Sequence, residues 1–159
     1  GAAFSLILDE KMALGLSAIP YARTPFLLAI GPRTGVTAIT ERELARIYRG
    51  ETTTWPNGER IRLVMRPRTD VDNALLRAIS PEMSAAVDAA LSRPGLLVAL
   101  TNQECDDLLS RTPGAIGPTT LSEVLTHETG LVPLGWNGVA PTVANLASGA
   151  YPLAKTLVG

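Results

Sequence analysis

A short apolar run, Ile61 to Met65, leads through the polar turn Arg66-Pro67-Arg68-Thr69-Asp70 into a helical pattern at Asp72. This strand-turn-helix unit constrains the fold more than any other stretch. In an open α/β sheet, ligands collect beyond the carboxyl ends of the strands, where helix N-termini point into a crevice. The turn is therefore the first place to look for a binding site. The plainer reading is a connection with an Asp cap and two solvated arginines, since most such connections only connect.

The same unit recurs along the chain. Phe4 to Leu8 and Ala13 to Ile19 are apolar, the second reading as a strand. Pro20 and Pro25 bracket a kinked, extended segment, and Phe26 to Ile30 reads as a strand. Thr40 opens a helix with Glu43 three residues on, the spacing of a capping box, and Gly50 stands where the C-terminal cap belongs. Trp55-Pro56-Asn57-Gly58 is a turn signal. Asp72 to Ile79 reads as a short helix, and Ser80-Pro81 starts another with Ser as cap and Pro at the first helical position.

Leu96 to Leu100 then reads as a buried strand, and Thr101 with Glu104 as a second capping box. Ala115 to Gly117 reads as a very short strand, Thr120 to Leu125 as a helix, Leu131 to Leu134 as a strand and Thr142 to Ala147 as a helix, with Tyr151 to Val158 extended. Strands alternating with helices predict an α/β fold, a mostly parallel sheet covered on both faces.

Composition excludes several function classes. The 159 residues suit one domain or two small lobes, and 46% hydrophobic against 18% charged residues is enough for a core. A net charge of −1 with arginines and acids interspersed gives no basic face for nucleic acid. Aromatic residues, at 4%, are too scarce for a base-stacking platform. No apolar run approaches the roughly 18 residues of a membrane span, and no signal-peptide pattern is expected.

Cys105 is the one cysteine, so no internal disulfide is expected. Cys105 and His127 are the one pair resembling a thiol nucleophile and base, but nothing in the sequence places them together, and a buried thiol is the commoner fate of a lone cysteine. Glu104, Asp106 and Asp107 spread around a helix rather than converge on a metal. No HExxH, CxxC, P-loop or GxGxxG is present. No catalytic residue, metal ligand or cofactor is expected.

Four stretches in order resemble the phosphate-binding branch of the type II periplasmic solute-binding proteins, the receptors of ABC importers. They are Ile39-Thr40-Glu41-Arg42-Glu43-Leu44-Ala45-Arg46-Ile47-Tyr48-Arg49-Gly50 followed by Trp55; Ile61-Arg62-Leu63-Val64-Met65-Arg66; Pro113-Gly114-Ala115-Ile116-Gly117; and Asn137-Gly138-Val139-Ala140-Pro141-Thr142 with Asn145-Leu146 and Tyr151-Pro152-Leu153. The resemblance covers about Phe26 to Leu157. It implies a three-layer α/β lobe, periplasmic-binding-protein-like, corresponding to the second of two lobes. Residues 1–25 would be a remnant of the first lobe and the outgoing hinge, 26–150 the second lobe, and 151–159 the returning hinge.

What the resemblance implies for function is a non-enzymatic solute receptor, periplasmic or extracellular. Its partners would be a small-molecule or oxyanion solute and a membrane permease. The ligand-facing residues would be Arg66, Arg68, Thr69, Asp70, Asp72 and Asn73, with Thr101-Asn102 at the next strand-to-helix switch lining the same crevice by fold analogy. The family pattern places Gly-Ser-Gly-Thr after the arginine, and here Asp70-Val71-Asp72-Asn73 stands in its place. Two carboxylates beside a bound phosphate would repel it, by on the order of a few kcal/mol each in a partly dry site. Asp72 also fits the role of helix cap. A ligand-free sensor or interaction module on the same fold is the alternative.

Overall fold

The computed structural model describes residues 22–127 and 129–157. Eight strands and six α-helices are found among them. They are β1 (Arg23–Ile30), β2 (Ala38–Ile39), α1 (Glu41–Arg49), β3 (Arg62–Met65), α2 (Val71–Arg77), α3 (Pro81–Ser92), β4 (Leu97–Val98), α4 (Asn102–Arg111), β5 (Ala115–Thr120), α5 (Leu121–Thr126), β6 (Val132–Pro133), β7 (Gly135–Trp136), α6 (Val143–Ser148) and β8 (Ala154–Thr156). The stretches Phe4 to Leu8 and Ala13 to Ile19 lie outside the described residues.

The main sheet runs β4-β3-β5-β1-β6, with β8 added to β1. β3 is parallel to both of its neighbours, β4 and β5, while β1 runs antiparallel to β5, β6 and β8. The architecture is α/β, with the parallel strands on the side of the Arg66 turn. Phe26 to Ile30 is buried without interruption, as expected of a strand covered on both faces. Helix α4 packs on β5, β3 and β1, α5 and α6 pack on β1, and α3 is flanked by α1 and α2. Leu27, Leu28, Leu44, Tyr48, Val64, Leu76, Leu109 and Ile116 fill one core.

Local chemistry sets the element ends. The Thr40 hydroxyl accepts from the Glu43 N–H at 3.2 Å and the Glu43 carboxylate accepts from the Thr40 N–H at 3.0 Å, the expected capping box. Gly50 closes that helix in the left-handed region, and the Arg93 guanidinium donates to the carbonyls of Ile47 and Tyr48. Ser80 caps α3 with Pro81 at its first position. Thr101 caps α4 as expected, but Glu104 reaches past it to the Leu100 N–H, at 3.2 Å.

Three further expectations are corrected. The Leu96-to-Leu100 strand is two residues long, and Val98 and Leu100 are 49% and 69% exposed. β4 lies at the sheet edge, so after Val98 only Ala99 turns inward, its N–H donating to the Met65 carbonyl at 2.8 Å. The very short strand at Ala115 is six residues long and central. It contains Pro118, which cannot donate to a ladder and so argues against a central strand on sequence alone. Thirdly, the cap of α2 is Asp70 rather than Asp72: an Asp70 oxygen accepts from the Asp72 N–H at 2.8 Å.

Candidate functional site

β3 ends at Met65 in mid-sheet, and the chain turns immediately, with the Asp70 N–H donating to the Pro67 carbonyl at 2.9 Å. The Asn73 amide fastens the turn from below, donating to the carbonyls of Arg66 and Pro67 at 3.2 and 2.8 Å. Parallel pairing with β4 brings the start of α4 alongside. Arg66 is the residue on which these elements converge. It is 4% exposed, a large desolvation cost for a cation unless it is fully paired.

The pairing is extensive. Nε of Arg66 donates to the Ala99 carbonyl at 3.1 Å, and Nη1 to the Asn102 amide oxygen at 2.7 Å and to Asp72 at 3.3 Å. Nη2 donates to Asp70 at 2.8 Å. The second oxygen of Asp72 accepts from Lys155 Nζ at 2.6 Å. Asp72 is 1% exposed, so its charge is matched by cations from two distant parts of the chain. Two cations and two carboxylates leave the cluster with no net charge.

A crevice of about 40 Å³ opens beside this cluster, lined by Asp72, Asn102, Pro118, Thr119, Thr120, Glu123, Lys155 and Leu157. Of the six residues expected at the site, Arg66, Asp70, Asp72 and Asn73 come together, while Arg68 and Thr69 are exposed on the turn. Asn102 joins them as fold analogy suggested. Sequence reasoning missed Lys155, Thr119, Thr120 and Glu123. The one available signal was that Lys155 is one of two lysines in the chain.

Behind the crevice lies Asp106, 4% exposed, with neither carboxylate oxygen in a hydrogen bond among the described residues. Burial above all pushes its pKa up to about 6, and the neighbouring Glu123 carboxylate raises it further. Glu123 is itself 3.2 Å from His127, whose ring is mostly exposed. Cys105 is a buried thiol donating to the Pro118 carbonyl at 3.4 Å. Burial raises its pKa to about 12, so the thiolate that nucleophilic chemistry needs is not formed at neutral pH.

Both the sequence and the fold are matched by known proteins. The model of the PBP superfamily domain matches residues 5–158. The chain belongs to the PBP superfamily. The phosphate-binding protein PstS of Bacillus subtilis (strain 168) is 32% identical over 129 residues, which are 79% of this chain and 40% of that protein. The crystal structure of PstS from Borrelia burgdorferi superposes with a TM-score of 0.69 at 24% identity, covering 87% of this chain and 57% of that one. A phosphate ABC transporter substrate-binding protein with bound phosphate from Clostridium perfringens gives 0.70 at 17% identity, covering 85% and 54%.

The chain therefore spans about two-fifths of the curated PstS relative and a little over half of these solved structures. Among the described residues, no helix is long and apolar enough to cross a membrane.

Proposed function

We propose that this chain is the solute-binding lobe of an ABC-importer receptor, with Arg66 at the centre of its recognition corner and an anion loop altered from that of phosphate receptors. The observation that carries the reading is the placement of Arg66. It is buried at the end of a parallel strand, held by three side chains and a carbonyl, and two of those side chains, Asp72 and Asn102, line a crevice. Arg68 and Thr69 on the exposed turn and Asn102, Thr119 and Thr120 on the crevice wall supply the remaining polar contacts for a solute.

The lobe comprises residues 26–150. Residues 151–159 are the returning hinge, a reading supported by the antiparallel pairing of Arg23–Pro25 with Ala154–Thr156. Residues 1–25 belong to the outgoing hinge and the first lobe. A periplasmic or extracellular location and a membrane permease as partner follow from the same reading. Calorimetric titration of the intact protein that carries this chain tests it, with phosphate, sulfate, molybdate and a panel of small organic solutes. Saturable binding of one of them is expected, and a flat response to all of them overturns the proposal.

A second reading rests on a different observation. Val71, Val98 and Leu100 are large apolar side chains exposed at the carboxyl ends of β3 and β4, beside a corner whose charges are already paired. That combination suits a module that has kept the fold and lost the ligand. Light scattering showing a stable larger species, together with no solute binding, would favour it.

A further inference from the structure

We infer that Asp72 is a built-in anion, a carboxylate of the chain itself that occupies the position an oxyanion would take at this corner and so determines its specificity. The inference rests on the receptor reading and names what that corner refuses. Two cationic groups converge on this one side chain, one six residues before it and one 83 residues after it. Arg66 Nη1 meets one oxygen at 3.3 Å and Lys155 Nζ the other at 2.6 Å. Asp72 is almost wholly removed from solvent and at the same time forms part of the crevice wall, beside Asn102, Thr119 and Thr120. Lys155 lines the same crevice and Arg66 does not, so Asp72 stands between the Arg66 guanidinium and the space in which a solute would sit.

A carboxylate tethered this way competes as an intramolecular ligand, at an effective concentration that free solute does not match. The arrangement also removes the electrostatic attraction for an incoming anion. Arg66 and Lys155 are balanced by Asp70 and Asp72, and Glu123 adds a further carboxylate on the crevice wall. A tetrahedral oxyanion would have to displace Asp72 from both partners and leave that carboxylate buried beside a second negative charge. Shortening Asp72 to serine does the reverse. It frees one N–H of Arg66 and the Lys155 ammonium, enlarges the crevice where they meet, and gives the cluster a net positive charge.

The test uses the intact protein that carries this chain, with Asp72→Ser as the main variant and Asp72→Asn as an isosteric one that removes charge alone. Inorganic phosphate and sulfate are titrated by calorimetry, and crystals of the variant are soaked in sulfate. The wild type is expected to bind neither ion, whereas Asp72→Ser gains affinity of at least about 100-fold, the scale of one removed like charge in a partly dry site. The soaked ion is expected to bridge Arg66 and Lys155. Asp72→Asn gains less, and Asp72→Ser combined with Lys155→Met loses most of the gain.

Phosphate binding by the wild type with the Asp72 pairs intact overturns the inference. So does a folded Asp72→Ser that gains nothing, and if that variant does not fold, absence of any gain in Asp72→Asn does the same. The receptor reading fails separately, when the wild type binds no solute of the wider panel.

Discussion

Lys155 Nζ lies 2.6 Å from Asp72 Oδ1, joining positions 83 residues apart in sequence. The contact ties strand β8 to the first turn of α2, just beyond the turn that ends β3, so these two parts of the chain form one electrostatic unit. Replacing Lys155 by Met leaves Asp72 with Arg66 alone and should cost about 1–3 kcal/mol, because the carboxylate stays buried and half-paired. Urea unfolding measures the loss. Hydrogen exchange should show the amides of residues 154–156 opening first, with those of β1 little changed.

Asp106 should make the protein less stable as the pH rises through the weakly acidic range. Its folded pKa is raised to about 6 from 3.8, mainly by burial. Between those values the unfolded chain has lost the proton and the folded chain still holds it, so stability falls as pH rises and levels off above about pH 6. Asp106→Asn removes the titration. It should stabilise the protein by about 1–3 kcal/mol at pH 7.5 and change little at pH 4. Urea midpoints for both proteins between pH 4 and 8 check the sign as well as the size.

Gly114 has a backbone requirement no other residue type meets. Its φ is +76°, and a Cβ there would overlap the Arg60 carbonyl oxygen. Its own carbonyl accepts from the Trp55 indole N–H at 2.9 Å and from the Arg62 N–H at 3.0 Å. Gly114→Ala should therefore cost more than about 3 kcal/mol, through the positive φ and the backbone clash together. Gly58→Ala, at φ +89° in open space, should cost about 1 kcal/mol. Comparing the two denaturation midpoints separates the clash from the dihedral.

The fold was legible where a strand ended in a capped helix. Thr40 with Glu43, Ser80 with Pro81, and the apolar run before Arg66 each carried their own local chemistry, and all appear as read. Pro118 hid the length of β5 because it breaks the local rule for a central strand. Val98 and Leu100 read as buried because hydropathy alone does not show that a strand lies at an edge.

At the site, the strand-end arginine and its two acids were visible in one stretch of sequence. Which acid caps the helix was not, since a start shifted by one or two residues exchanges the roles of Asp70 and Asp72. Lys155 was invisible for a stronger reason. Its partner lies 83 positions away, and only the antiparallel pairing of β8 with β1 brings the two together.

The central claim, that solute is recognised at the Arg66 corner, is tested most directly by nuclear magnetic resonance on the intact protein titrated with a solute that binds it. Saturable shifts should centre on Arg66 to Asn73, Asn102 and Thr119-Thr120. Shifts that saturate instead around the 380 Å³ pocket lined by Leu75, Ile79, Trp136 and Leu153, with the Arg66 side-chain signal unmoved, would contradict it.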